Sequence, residues 1–177
     1  MQGKVMGKQP NAKMCVVCGI ENELGMDARF YNLENKDVVA MFTPKDVHQS
    51  YPERMHGGLS AAILDETIGR GLKNYEPGAW AVTIELTTKF KKPVPLGVEL
   101  KAVGRINNIR HRLVEGTGEI YLPNGEVAVS ASAKYIKMSA ERITDTDFTE
   151  EEWKMIEGET DPEIIEIPDY KPELFKL

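Results

Sequence analysis

The sequence has 177 residues, 41% of them hydrophobic, and carries a formal net charge of −6 at pH 7. A chain of this length suits one globular domain, which buries about 70% of its unfolded surface and needs no disulfide or metal to fold. The lack of a long basic run argues against a nucleic-acid partner, and no apolar stretch approaches the ~20 residues that a membrane-spanning helix needs.

The N-terminal segment, residues 1–27, contains both cysteines of the chain. Residues 1–14 are polar, so we expect a flexible lead that lacks the apolar core of a signal peptide, and hence a cytoplasmic protein. Cys15 and Cys18 form one Cys-x-x-Cys motif, followed by Gly19. A closed zinc site needs four ligands, and neither a second cysteine pair nor suitably spaced histidines follow. We therefore rank reduced structural thiols first, a redox pair second and zinc third, and predict no metal ligands.

The following residues predict two strands, a loop and a helix. Residues 28–33 and 38–43 are apolar and flank a turn signal at Asn32–Asp37, which favours two strands. A loop with two prolines covers 44–56. A helix is predicted over roughly 57–73, because its apolar residues recur at helical spacing. This stripe consists of Ala61, Leu64, Ile68 and Leu72.

Four further strands complete the predicted fold. In Ala81–Phe90 apolar and polar residues alternate with a period of two, and a break containing Pro and Gly follows at Lys92–Gly97. The other strands are predicted over roughly 98–108, 112–122 and 126–137. Pro123-Asn124-Gly125 between the last two strands is a strong signal for a hairpin turn. One apolar helix and a long antiparallel sheet favour an α+β fold in which the sheet curls around the helix.

The composition changes after Met138. Thr149, three glutamates and then Trp153 fit a capping box, which predicts a short helix near 149–157. The remainder is acidic and contains three prolines, so we expect an extended tail that lies on the domain or on a neighbouring subunit. We therefore divide the chain into the N-terminal segment at 1–27, a central domain at 28–140 and an acidic C-terminal helix and tail at 141–177.

Asp65 is the most unusual residue of the predicted helix. A carboxylate on a helix that is expected to be buried costs several kcal/mol unless a partner compensates for it. Asp65 is therefore either a hydrogen-bonded structural acid or a catalytic base. Glu66 lies ~100° further around the helix and can form an ordinary ion pair with Arg70, four residues on, which leaves Glu66 as the fallback base.

Several motifs of the chain occur together in one known family. His56-Gly57-Gly58, followed by six residues and then Asp65, resembles the central helix of the hotdog-fold acyl-CoA thioesterases of the PaaI-like family. Val82–Leu86 and Lys92–Gly97 look like the family's next strand and its turn, so the resemblance covers roughly 28–138. A branch of the family has an N-terminal Cys-x-x-Cys-Gly-x-x-Asn segment, which Cys15–Asn22 resembles, and His48–Pro52 is similar to that branch as well.

Two residues of the loop before the helix depart from the family's pattern. Many relatives have Asn six residues before the His and Gly three residues before it, where this chain has Ser50 and Glu53. The polar lining of this loop is therefore left open.

The resemblance implies a hotdog fold and hydrolysis of an acyl-CoA thioester to the free acid and CoA. Asp65 would act as general base on water or as nucleophile. The helix start at His56, Gly57 and Gly58 would stabilise the oxyanion. His56 would position the substrate carbonyl or only cap the loop, and Thr83 would orient the water, although it is equally consistent with an ordinary strand residue.

The resemblance also implies how the substrate is bound. The family places basic residues at the mouth of the site for the phosphates of CoA, and the candidates here are Lys91, Lys92, Arg110, His111 and Arg112. Arg110 and Arg112 would share a face if they lie on a strand. No cofactor is required beyond CoA as part of the substrate, and we expect a homodimer or homotetramer with the site between protomers. The alternatives are a non-catalytic acyl-CoA-binding protein and, less favoured, a hotdog enoyl-CoA hydratase or dehydratase.

Overall fold

The computed structural model describes residues 2–145, 152–156 and 161–169 of the chain. These residues form strands, two α-helices and two short 3-10 helices. The strands are β1 (Gln2–Lys8), β2 (Asn11–Ala12), β3 (Arg29–Leu33), β4 (Val38–Phe42), β5 (Trp80–Phe90), β6 (Leu100–Arg110), β7 (Leu113–Tyr121), β8 (Val127–Met138), β9 (Trp153–Lys154) and β10 (Ile164–Glu166). The helices are α1 (Gly57–Arg70) and α2 (Ala140–Ile143), and the 3-10 helices cover Asp46–His48 and Gly71–Asn74.

Eight of these strands form one antiparallel sheet in the order β10-β1-β3-β4-β6-β7-β8-β5. The helix α1 packs against one face of this sheet and contacts β4, β5, β6, β7 and β8. A contiguous cluster of buried apolar side chains fills the space between helix and sheet. The predicted α+β fold, a long antiparallel sheet around one central helix, is confirmed.

The central helix approaches the sheet very closely because glycines face it. A Cβ atom on Gly104 of β6 would lie 2.4 Å from the carbonyl oxygen of Thr67, and a Cβ atom on Gly116 of β7 would lie 2.4 Å from Cγ2 of Ile68. On the helix side, Ile63 and Leu64 are fully buried. The helix backbone therefore rests on the sheet backbone, which fixes the height and the rotation of every side chain on α1.

The two edges of the sheet are β5 and β10. β5 is the longer, with 11 residues, and it pairs only with β8 among the described strands. Its pairing register shifts between Thr83 and Glu85, so Ile84 forms a bulge and is 56% exposed. A long edge strand with an exposed apolar side chain is a typical surface for pairing with another chain.

Two expectations for the chain ends are wrong. Residues 1–14 are not a flexible lead, because β1 pairs with both β3 and β10. At Trp153–Lys154 the predicted helix is replaced by β9, which pairs with β2, while residues 149–151 and 157 lie outside the described residues. The Trp153 ring packs 5.4 Å from the ring of Trp80, and this tertiary contact outweighs the local helix signal.

Within the described part of the tail, Ile164–Glu166 forms β10 against β1, so this part lies on the domain, one of the two placements expected for it. The division of the chain at residues 28 and 140 stays a prediction. No helix in the described ranges is long and apolar enough to span a lipid bilayer.

We expect Gly104→Ala to destabilise the fold by about 2 kcal/mol or more, since the added methyl group meets helix backbone that cannot move aside. Denaturant unfolding of the variant and of the native protein measures this difference. Asn107→Ala, at an exposed position of the same strand, is the control and should stay within about 0.5 kcal/mol. Equal stability of Gly104→Ala and native protein would contradict the close approach described above.

Candidate active site

Asp65 lies on α1 where two strands hold it. Its carboxylate Oδ1 accepts a hydrogen bond of 2.8 Å from the hydroxyl of Thr83 on β5. The hydroxyl of Tyr135 on β8 donates to the backbone carbonyl of Asp65, also at 2.8 Å. The structure thus brings together Asp65 and Thr83, and it adds Tyr135, which the sequence did not single out.

The environment makes the carboxyl group of Asp65 more basic than an ordinary aspartate. Burial raises the pKa of Asp65, and the nearby charge of Glu66 raises it further, while the hydrogen bonds of Thr83 and Tyr135 oppose the increase in pKa. A carboxylate with a raised pKa is a better proton acceptor, and perturbed pKa values are typical of functional sites.

Asp65 faces a cavity of about 420 Å³ between α1, the start of β5 and the N-terminal segment. Its lining combines carboxylates, aromatic rings and a thiol. The residues that define its chemistry are Cys15, Asp65, Glu66, Trp80, Thr83, Tyr135 and Trp153. A cavity of this size that is largely apolar, with a few polar groups, is typical of small-molecule sites.

The start of α1 is capped by His56. The Nδ1 atom of His56 accepts a hydrogen bond of 2.9 Å from the N–H of Gly58, and a Cβ on Gly58 would lie only 3.0 Å from this nitrogen. The N–H of Gly57 has no hydrogen-bond partner among the described residues. A Cβ on Gly57 would lie 3.3 Å from the ring of Phe90, at the far end of β5. His56 therefore caps the helix by binding the N–H of Gly58. The N–H of Gly57 is thus the better candidate for an oxyanion donor.

One copy of the chain does not place the helix start beside Asp65. Asp65 lies eight positions after Gly57, which corresponds to about 12 Å along the helix axis. A reacting carbonyl must lie within about 3 Å of both its oxyanion donor and its attacking group. The two functions predicted for this helix therefore cannot serve the same carbonyl within one protomer.

The five basic candidates for CoA binding also separate into two groups. Lys91 and Lys92 follow the end of β5, and their N–H groups donate to the carbonyl of Ala128. Arg112 lies near the start of β5. Its carbonyl accepts a hydrogen bond from the N–H of Lys137, and Lys137 on β8 pairs with Ala81 on β5. The ends of the 11-residue strand β5 are about 30 Å apart.

Arg110 and Arg112 do not lie on one strand, so the condition under which they would share a strand face is not met. Arg110 ends β6, while His111 and Arg112 form the turn to β7, and His111 has a positive φ of 49°. The tight turn changes the chain direction between the two arginines. His111, a candidate for CoA binding, is exposed. His48 is buried, and both of its ring nitrogens have partners: the N–H of Lys45 and the carbonyl of Leu24.

The two departures in the loop before the helix differ in their local effect. Glu53 has a φ of 63°, a left-handed conformation that glycine adopts without strain. The hydroxyl of Ser50 accepts from the N–H of Tyr51 at 2.6 Å and is exposed. Glu53 therefore imposes a conformational cost at a tight turn.

The N-terminal segment contacts α1 directly beside Asp65. The thiol of Cys15 donates to Oε2 of Glu66 at 3.1 Å, and Arg70 donates to the other oxygen, Oε1, at 2.9 and 2.8 Å. The predicted ion pair of Glu66 with Arg70 is thus confirmed. A hydrogen bond between the two thiols lowers the pKa of Cys15 and raises the pKa of Cys18. Glu66 is engaged on both oxygens, which favours Asp65 as the base.

Replacing Thr83 by Val should raise the pKa of the Asp65 carboxyl group, because the hydroxyl stabilises the ionised form through its hydrogen bond. An NMR titration that follows the side-chain carboxyl of Asp65 measures this pKa directly. Thr87→Val, at an exposed position on the same strand, is the matched control and should leave the pKa unchanged. A pKa that does not rise in Thr83→Val would show that this hydrogen bond does not form in solution.

Comparison with known proteins shows which family and which structures this chain is similar to. The model of the thioesterase superfamily matches residues 53–129. Acyl-coenzyme A thioesterase THEM4 of Xenopus laevis is 29% identical over 110 residues, which are 62% of this chain and 49% of the relative. The chain thus aligns with about half the length of this curated relative.

Solved structures extend the comparison to the fold. The thioesterase superfamily protein RHA08564 is 29% identical, with a TM-score of 0.62 over 69% of this chain and 59% of the other. The PaaI protein of E. coli, from the phenylacetic acid degradation operon, is 16% identical, with a TM-score of 0.59 over 64% of this chain and 81% of the other. The chain therefore has the hotdog fold of the PaaI-like proteins, and its residues 53–129 are similar to the thioesterase superfamily.

Proposed function

We propose that this protein hydrolyses acyl-CoA thioesters to the free acid and CoA, with Asp65 as the reacting carboxylate. The observation that carries the proposal is the position of Asp65: half-buried, hydrogen-bonded to Thr83 and facing a cavity. The similarity to a relative named as an acyl-coenzyme A thioesterase supports the choice of substrate.

Two routes use the same ionised carboxylate. As general base, Asp65 accepts a proton from water while the water oxygen attacks the thioester carbon, and the tetrahedral intermediate then expels the CoA thiolate. As nucleophile, the carboxylate attacks the carbon itself, expels the thiolate and leaves an anhydride that water hydrolyses. In both routes the carbonyl oxygen becomes negative, and an N–H group at a helix start stabilises it.

We propose further that the complete site forms between two copies of the chain, paired along β5. Among the described strands, β5 is an edge of the sheet, and it carries the exposed Ile84. In an antiparallel pair, the Phe90 end of one copy lies beside the Thr83 end of the other. Since Phe90 contacts Gly57 and Thr83 contacts Asp65, the helix start of one copy approaches the carboxylate of the other.

The same pairing accounts for the separated basic residues. Lys91 and Lys92 of one copy come to lie near the start of β5 in the other, where Arg112 is found. In the dimer, Lys91 and Lys92 of one copy and Arg112 of the other would together form one basic entrance to the site that binds the phosphates of CoA. This arrangement requires a homodimer as the smallest active unit, and a tetramer is compatible with it.

A non-catalytic acyl-CoA-binding protein is the second candidate. The capping of Gly58 by His56 removes one oxyanion donor, and Ser50 replaces an asparagine of the usual pattern. This candidate expects binding of CoA esters without release of the thiol.

Asp65→Asn should lower the rate of thiol release from acyl-CoA substrates by roughly 10²–10⁴-fold, because the amide can neither accept the proton nor attack the carbonyl. A thiol-release assay over short, medium, long and aryl acyl-CoAs measures this effect. Glu34→Gln, at an exposed position between β3 and β4, is the control and should retain the native rate. An unchanged rate in Asp65→Asn would refute the proposed base, and CoA binding without turnover in the native protein would favour the binding function.

Ile84→Lys should convert the oligomer into monomers and abolish most of the thiol release, since a charge on the bulge opposes pairing of two β5 edges. Light scattering gives the mass, and the same assay gives the activity. Ile164→Lys, at a 54% exposed position on the opposite sheet edge, should change neither. A fully active dimer of Ile84→Lys would place the interface elsewhere.

A further inference from the structure

The two cysteines meet a carboxylate that is distant in sequence. The thiol sulfurs of Cys15 and Cys18 and one carboxylate oxygen of Glu66 all lie within 4.8 Å of one another. Cys18 is fully buried, while Cys15 and Glu66 are half-buried and line the cavity beside Asp65. Two thiols and a carboxylate at this separation form the donor set of a zinc site with three protein ligands.

The surroundings of Glu66 orient it for such a role. Arg70 donates two hydrogen bonds to Oε1, which fixes the carboxylate plane and leaves Oε2 directed at Cys15, 3.1 Å away. Hydrogen bonds to the second oxygen of a ligating carboxylate are typical of metal sites, because they hold the ligand in place. The carboxylate is therefore held in its position before any ion arrives.

Both sulfurs accept hydrogen bonds that suit thiolates. The N–H of Val17 donates to Sγ of Cys15 at 3.3 Å, and the N–H of Ala12 donates to Sγ of Cys18 at 3.4 Å. The guanidinium of Arg70 donates to Sγ of Cys18 at 3.2 Å. Donors around ligating atoms stabilise the charge that those atoms carry in a metal complex.

The loop that carries the cysteines is held rigidly. The N–H of Gly19 donates to the carbonyl of Cys15 at 2.8 Å, and a Cβ at position 19 would lie 2.3 Å from that oxygen, so only glycine fits. The side chain of Asn11 donates to the carbonyl of Cys18 at 2.8 Å, and the side chain of Asn22 donates to the carbonyl of Met14 at 3.2 Å. This loop presents both sulfurs to α1 without further rearrangement.

We propose that Cys15, Cys18 and Glu66 bind a zinc ion whose fourth position faces the cavity. Two thiolates and one carboxylate select zinc over hard cations such as magnesium and calcium. The charge of the site supports binding despite the nearby Arg70. Zinc displaces the thiol protons when it binds, and the charge of the ion balances that of the two thiolates beside the guanidinium.

Such an ion would tie the N-terminal segment to the turn of α1 that carries Asp65. The segment otherwise reaches the helix through hydrogen bonds with Glu66 and Arg70. Coordination would in addition link Cys15 and Cys18 to Glu66 through one atom. The fourth position, open to the cavity through Cys15 and Glu66, would be filled by water. The proposal does not depend on the thioesterase reaction, because it rests on the donor set and its supporting hydrogen bonds.

The metal content of the protein tests the proposal. Protein produced with zinc in the growth medium and purified under reducing conditions without chelator should contain about one equivalent of zinc by mass spectrometry. Replacement by Co²⁺ should produce the thiolate-to-metal charge-transfer absorption and the visible bands of a tetrahedral cobalt site. The proposal would be overturned by a zinc content below about 0.1 equivalent together with no cobalt spectrum. A disulfide between Cys15 and Cys18 in protein purified under reducing conditions would also overturn it.

Variants then identify the ligands. Glu66→Gln should weaken zinc binding roughly 100-fold, as measured by competition with a chromophoric chelator, since an amide is a poor substitute for the ligating carboxylate. Glu76→Gln, another glutamate in an ion pair, should leave the affinity unchanged. Cys18→Ser should abolish the cobalt charge-transfer band or reduce it strongly. Native zinc affinity in both Glu66→Gln and Cys18→Ser would overturn the proposed zinc site. A loss of affinity in these two variants but not in Glu76→Gln would support it, even if the protein releases no thiol from acyl-CoA.

Discussion

The direct contact between the central helix and the sheet is the constraint on which the site depends. Gly104 lets the sheet backbone meet the backbone of α1, and Gly116 makes room for the side chain of Ile68, so α1 is held at a fixed height and rotation. This fixed rotation directs Asp65 toward β5 and β8, where the hydroxyls of Thr83 and Tyr135 meet it. A carboxylate that is half-removed from water keeps a raised pKa only if its surroundings cannot relax around it. The close packing of α1 on the glycines of the sheet thus helps to keep the pKa of Asp65 raised.

The central elements of the fold could be predicted because each carries its own periodicity. The alternation in β5 and the hairpin signal between β7 and β8 are local features, and the structure reproduces them within a few residues. The sheet edge formed by β1 and β10 could not be predicted, since Gln2 pairs with Glu166 at the other end of the chain and neither strand has a clear apolar alternation. At Trp153 the local sequence indicates a helix, but the contact with Trp80 favours a strand. This contact is between residues distant in sequence, so the neighbouring residues do not predict it.

The candidate site was predictable to the same degree. A family resemblance and the spacing of four residues identified Asp65, Thr83 and the ion pair of Glu66 with Arg70. The spatial grouping of the basic residues was not predictable, because it depends on how long strands are laid side by side. The contact of Cys15 with Glu66 spans 51 positions, and Cys-x-x-Cys alone is ambiguous between structural, redox and metal roles. Only the fold supplies the third group that separates these roles.

The pairing of the two indole rings at the cavity wall gives the molecule a built-in optical property. The sequence contains two tryptophans, and both line the cavity that Asp65 faces, with the charged group of Lys73 over each ring. The emission of an indole depends on the polarity and the charges around it. The whole intrinsic tryptophan fluorescence of this protein therefore originates at one place, and any molecule that enters the cavity changes the light that the unlabelled protein emits.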